Sequence, residues 1–364
     1  MIPTDLRTLA RVLRDDIAPH SATQSTMVVE RPHASLRRYG TPEQLAAARE
    51  AGAVPVLLVP PLAVDARCYD LAPGVSPANS VVEFLLSTGT VPYVVDFGPV
   101  GRAERGLGFE DYFGSFIPRA IADVVSDYDA AATLDLMGWS LGGTLSFLTA
   151  GNDPSLPIRS VIAVTTPLNY QAIPPYPLVR KLLGPTGGRP ATCAMAALGG
   201  IPAPLVRAAY RASAWQRELK KPKYIVENLH DEDALARMQV IDRFQRSMPG
   251  YPGRVSQQML TNLILRDEIA GGVLDFDGLV VDLHSIAVPI ALFGSHWDAI
   301  CSFEGARHGV DLFTGSPHVE FHTVESSHLG ALTGPDAESV TWPAIAGFRA
   351  ELDRAEHDRG ENYN

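Results

Sequence analysis

The chain of 364 residues is 46% apolar and 20% charged, the make-up of a globular core and not of a disordered chain, with room for one large domain carrying an insertion or for two domains. A formal net charge of −11 and the lack of a conspicuous basic surface argue against a nucleic-acid partner, since binding phosphates needs clustered cations. Cys68, Cys193 and Cys301 are too few and too scattered for a disulfide framework or a metal site.

The first residues lack the apolar core of a signal peptide, and no apolar run approaches the roughly 20 residues needed to span a bilayer. The expectation is a cytoplasmic protein with no transmembrane segment, no metal and no organic cofactor. A homodimer is left open.

In chain order, residues 5–17 show helical apolar spacing with arginines between, which predicts an N-terminal helix packed on the body. Early strands follow within 26–39. Val54–Val59 is a continuous apolar strand of the kind covered on both faces. A helix from Ser80, a strand Val91–Asp96, and a helix between Glu110 and Ala130 come next. The run from Leu134 then leads into Gly138-Trp139-Ser140-Leu141-Gly142-Gly143, and a strand Ser160–Val164 follows.

Strand and helix alternating at this spacing predict an α/β fold with a doubly wound, mostly parallel sheet. From Pro167 to about Gly253 the rhythm breaks. A stretch rich in proline and glycine, ending near Pro190, is followed by helical segments around Ala203–Lys221 and Asp231–Met248. The sheet pattern resumes at Val288–Phe293 and Val319–Val324, before a closing helix from Thr341 to about Glu356. The expected organisation is an N-terminal helix and early strands in 1–50 and a core formed by 51–166 and 254–356. A mainly helical cap or lid occupies 167–253, and 357–364 is a solvated tail.

The G-x-S-x-G at 138–142 has the form of a nucleophile elbow, a strained strand-to-helix turn that lifts a serine hydroxyl above the sheet. A serine needs a base within hydrogen-bond reach, and that base needs an orienting acid. Asp298 follows one late strand and His328 the next, in the chain order serine, acid, histidine that such folds use. This points to Ser140 as nucleophile, His328 as general base and acid, and Asp298 as orienter. Glu325 and Asp336 compete less well as the acid, and His296, His308, His318 and His322 less well as the base. Oxyanion donors are expected from the Leu141 amide and, because Pro60 and Pro61 have no N–H, from Leu62 or Ala63.

Several short motifs in serial order resemble the polyhydroxyalkanoate synthase core: Val59-Pro-Pro-Leu62, Tyr69-Asp-Leu71, Ser76-Pro-Ala-Asn-Ser80, Gly108-Phe-Glu-Asp-Tyr112, the elbow itself, Val281–Pro289 and Ser327-His328-Leu-Gly330. The resemblance runs from about residue 54 to 348 and weakens across 167–250. It implies an α/β-hydrolase core with a cap, acyl-thioester chemistry, and a triad falling on Ser140, Asp298 and His328.

The chain departs from that pattern in carrying serine where the synthases carry the elbow cysteine, and Val64-Asp65-Ala66-Arg67 where an Asn-Lys-Tyr-Tyr-type stretch is usual. A Trp-Asn-x-Asp-like cap motif is also absent. These departures favour cleavage of a carboxylic ester or acyl thioester, with an acyl ester or acyl-CoA as substrate. Tyr170, Tyr176, Leu182, Leu183 and Trp215 are expected to line the acyl pocket. The competing readings are a synthase-like acyltransferase using 3-hydroxyacyl-CoA, and a binding protein with a relic triad.

Overall fold

The computed structural model describes residues 4–18, 22–75, 79–130, 132–213 and 215–361; Ser76–Ala78 of the quoted motifs and the last three tail residues lie outside them. Eight strands form one sheet: β1 (Ser25–Val29), β2 (Ser35–Tyr39), β3 (Val56–Val59), β4 (Pro92–Asp96), β5 (Leu134–Trp139), β6 (Ile158–Val164), β7 (Ile290–Gly294) and β8 (Val319–Thr323). Their order is β1-β2-β4-β3-β5-β6-β7-β8. The pairs β1–β2 and β2–β4 are antiparallel and every other pair is parallel, as expected for a doubly wound sheet with an antiparallel edge.

The central strands are buried along their whole length, and successive residues serve opposite faces. Leu57 and Val59 enter one core cluster with Phe113, Leu145 and Phe147, while Val56 and Leu58 enter the other with Val82, Ile345 and Phe348. The helix Leu141–Asn152, which follows the elbow, is buried around its full circumference, so its apolar composition shows no single face.

Register decides what shares an edge. Val59 pairs with Gly138, Trp139 with Val164, Phe293 with Val164, and Gly294 with Thr323. The C-terminal ends of β3, β5, β6, β7 and β8 therefore lie side by side, and the loops bearing Leu62, Ser140, Asp298 and His328 all leave from that edge.

The opposite edge is closed by ions. Asp135 at the start of β5 is fully buried and bonded to Arg159 (2.6 and 2.9 Å), Arg349 (2.8 Å) and Ser160 (2.7 Å). Every carboxylate lone pair that burial would orphan is thereby used.

Between β6 and β7 the chain runs through helices Tyr176–Leu183, Arg189–Leu198, Ala203–Ser213, Trp215–Glu227 and Glu232–Ser247. A helical stretch from Gly253 to Leu265 and a hairpin, Val273–Phe276 with Leu279–Asp282, follow before β7. The N-terminal helix Thr4–Leu13 packs on the helix Glu232–Ser247. Gln239 accepts the amides of Ile17 and Ala18 and donates to the Val12 carbonyl, and Arg11 pairs with Glu232.

The closing helix extends past its expected end near Glu356. It runs Trp342–Glu361, so 357–361 are helical; Asp353 and Glu356 reach Arg159 and tie its later turns to the buried ion cluster.

Candidate active site

Ser140 joins β5 to the helix Leu141–Asn152 with φ 54° and ψ −126°, a region that side-chain-bearing residues rarely enter. Steric contact holds it there. A Cβ on Gly138 would lie 2.3 Å from the Gly143 nitrogen, one on Gly142 would lie 2.0 Å from the Val59 carbonyl oxygen, and one on Gly143 would lie 2.0 Å from Thr166 Oγ1. The Ser140 N–H donates to the Val164 carbonyl at 2.8 Å, pinning the turn to β6.

Asp298 and His328 meet. Nδ1 of His328 lies 2.6 Å from Asp298 Oδ2, and both side chains are buried. Asp298 Oδ1 accepts the amides of Ile300 (2.7 Å) and Cys301 (2.9 Å). With both oxygens engaged the carboxylate cannot rotate, and a proton held on Nδ1 leaves the Nε2 lone pair free to act as a base. The Trp139 indole N–H donates to the His328 carbonyl at 3.1 Å, with the two rings 5.2 Å apart. The residue before Ser140 thus anchors the histidine loop.

The alternatives are engaged elsewhere. Glu325 is exposed, and Asp336 accepts the Ser326 hydroxyl at 2.6 Å. His296 stacks on Phe303, His308 bonds the Ala270 carbonyl, and His318 and His322 both face Glu320.

Leu141 is the first residue of its helix, where N–H groups have no intrahelical partner. Leu62 and Ala63 are buried in the loop after Pro60 and Pro61, turned by a Val64 N–H to Pro61 carbonyl bond of 3.2 Å. The two loops are locked together by Tyr69. Its hydroxyl donates to the Val59 carbonyl (2.7 Å) and accepts the Trp139 N–H (3.0 Å).

Ser295 does the same for the acid and histidine loops, donating to the Ser326 carbonyl (2.5 Å) and accepting the Ser326 amide (3.2 Å). Neither Tyr69 nor Ser295 was singled out for the site by sequence, although Tyr69 stands in a quoted motif and Ser295 three residues before the acid. Burial, and then the Asp298 carboxylate, raise the Cys301 thiol well above its ordinary pKa, which keeps it neutral and unreactive.

The segment between β6 and β7 reaches the site at two places. Phe244 lies 6.2 Å from the Trp139 ring, and the half-buried Tyr210 phenol is pushed up first by desolvation and then by Asp298. The expected acyl pocket is corrected here. Tyr170 is buried and Tyr176 and Leu183 are half-buried, but Leu182 and Trp215 are 67% and 57% exposed, because their helix faces turn outward. Among the described residues no group of three or more His, Cys, Asp or Glu could hold a metal ion.

No protein-family model matches the chain. By sequence it is similar to the poly(3-hydroxyalkanoate) polymerase subunit PhaC of Haloferax mediterranei, 23% identical over 82% of this chain and 59% of that protein. It is likewise similar to the subunit of the same name from Allochromatium vinosum, 24% identical over 85% of this chain and 83% of that protein. The chain thus spans little more than half of the first relative's length. By structure it is similar to a lipase in an open form, with a TM-score of 0.55 at 16% identity, covering 90% of this chain and 99% of that one. The chain has the α/β-hydrolase fold, and its sequence is similar to polymerase subunits named PhaC.

Proposed function

We propose that this chain is a serine hydrolase that cleaves a carboxylic ester or acyl thioester through an acyl-enzyme on Ser140. The observation that carries the reading is the strained elbow at Ser140 on the same sheet edge as a buried His328–Asp298 pair, with Trp139, the residue before the serine, bonded to the His328 carbonyl. His328 Nε2 takes the Ser140 hydroxyl proton as Oγ attacks the acyl carbon. The developing oxyanion is met by the Leu141 amide and by that of Leu62 or Ala63.

The proton then passes from His328 to the departing alkoxide or thiolate, and the acyl group stays on Oγ. A water, deprotonated by the same nitrogen, attacks the ester and releases the acid and the free serine. Asp298 stabilises the transient imidazolium at each stage. The helices between β6 and β7 act in this reading as the cap, with Phe244 packed near Trp139 and Tyr210 within the electrostatic reach of Asp298. Three free thiols, two of them buried, favour a reducing, cytoplasmic setting.

The second reading is acyl transfer to a hydroxyl, favoured by similarity to polymerase subunits over 82–85% of the chain. One experiment separates them. Purified protein is mixed with 3-hydroxybutyryl-CoA while thiol release is followed and the acyl product is weighed by mass spectrometry. Free acid with no turnover by Ser140→Ala supports hydrolysis, and oligomeric ester supports transfer. Undiminished activity in Ser140→Ala would sink both.

A further inference from the structure

Among the described residues, no apolar residue between Ile173 and Ala234 is buried, although both flanks are packed. The helix Trp215–Glu227 is turned inside out. Arg217 and Lys221 point at the body and share Asp242 at 3.0 and 2.6 Å. Trp215, Leu219 and Val226 are 57%, 71% and 67% exposed, and together with Pro222 they occupy positions i, i+4, i+7 and i+11, one continuous stripe. The helix Tyr176–Leu183 repeats the arrangement on a smaller scale, with Leu178 and Leu182 one turn apart and 58% and 67% exposed.

Charge says what meets these stripes. Residues 171–227 hold nine Lys or Arg against two Glu, a net of +7 inside a chain whose formal net charge is −11. Lys181, Lys220 and Lys223 stand exposed beside the apolar positions. A free polyanion would use the cations and leave the apolar stripes in water. A second copy meeting face to face would set like charge on like charge. Apolar side chains flanked by cations fit an anionic lipid surface, in which the stripe enters the acyl boundary and the lysines meet headgroup phosphates.

We propose that the helices between Tyr176 and Glu227 dock this protein onto an anionic lipid surface, lying on it and not crossing it. Among the described residues no helix is long and apolar enough to span a membrane. The proposal does not depend on the chemistry assigned to Ser140.

The test is co-sedimentation of the full chain with phosphatidylglycerol vesicles and with phosphatidylcholine vesicles. Wild type is expected to pellet with the first, to pellet far less with the second, and to be released by salt. Leu219→Asp combined with Val226→Asp should lower binding about tenfold or more while leaving circular dichroism and the unfolding midpoint unchanged. Lys220→Glu with Lys223→Glu should abolish the preference for phosphatidylglycerol.

Failure of wild type to pellet with phosphatidylglycerol overturns the proposal. So does a double-aspartate variant that binds as wild type does, which would leave vesicle binding to charge alone and the apolar stripe unused. A dimer by light scattering that the aspartates dissociate, without vesicle binding, overturns it in favour of a second copy.

Discussion

The elbow and the helices from Tyr176 to Glu227 are built on opposite rules. Around Ser140, backbone touches backbone: three glycines leave no room for a Cβ, Tyr69 ties two strand ends, and every residue from Leu141 to Ala150 is buried. From Tyr176 to Glu227, helices expose leucines, a tryptophan and a valine and turn cationic residues inward. The first region is determined by its own contacts. The second is held by half-buried contacts such as Val206, Tyr210 and Ile225, and its outer face answers to what lies outside the molecule. The contrast is between a turn fixed by its own contacts and a surface left uncommitted by them.

The comparison breaks most visibly at the site. Asp298→Asn keeps the shape of the buried pair but cannot hold the Nδ1 proton in place, so kcat should fall by about 10⁴-fold with little change in KM. A loss below about tenfold in steady-state assays would remove Asp298 from the machinery. Gly142→Ala should cost about 4 kcal/mol or more in denaturant unfolding, because its Cβ would meet the Val59 oxygen at 2.0 Å and neither the sheet nor the buried helix can give way alone.

At the far edge of the sheet, Asp135→Asn should cost about 3–5 kcal/mol by leaving Arg159 and Arg349 partly uncompensated. Burial alone would raise the Asp135 pKa; the hydrogen bonds and charges of Arg159 and Arg349 outweigh it and hold the carboxyl below its ordinary value. The sign follows from that direction. A depressed native pKa contributes stability that is present above about pH 4, the unfolded value, and lost as pH falls through the native one. Acid titration of unfolding should therefore show wild type losing more stability than the asparagine variant below that pH.

The division also marks what the sequence makes legible. The elbow, its strand, and the loops of Asp298 and His328 can be read because strand periodicity and turn glycines are local signals. The helices Tyr176–Leu183 and Arg189–Leu198 are hidden by prolines at their first or second positions, which read as breaks although they open helices. The hairpin Val273–Asp282 is missed because its strands expose apolar Val273, Leu279 and Val280, so residue type does not follow burial as it does in the equally short but fully buried Val56–Val59. Tyr69 and Ser295 act through partners 70 and 31 residues away, a separation that no spacing rule reaches. Net charge hides most: −11 over the whole chain conceals +7 in residues 171–227, so a cationic surface is overlooked by the very number used to exclude one.

The smallest expected effect isolates the comparison best. Leu57 in β3 is fully buried and Leu219 is 71% exposed, so the same truncation asks the same chemical question in the two settings. Leu57→Ala removes methyl groups from close-packed surroundings and leaves a cavity, at a cost of about 2–5 kcal/mol. Leu219→Ala removes them from water, and in the free protein it should change unfolding free energy by no more than about 0.5 kcal/mol. Repeating the Leu219 measurement with phosphatidylglycerol vesicles present gives that leucine something to lose. A wild-type midpoint that rises with vesicles, beside a smaller rise for Leu219→Ala, would place its stabilising partner outside the chain. A cost near 2 kcal/mol without vesicles would mean that Leu219 is packed in solution, and the two regions would then follow one rule.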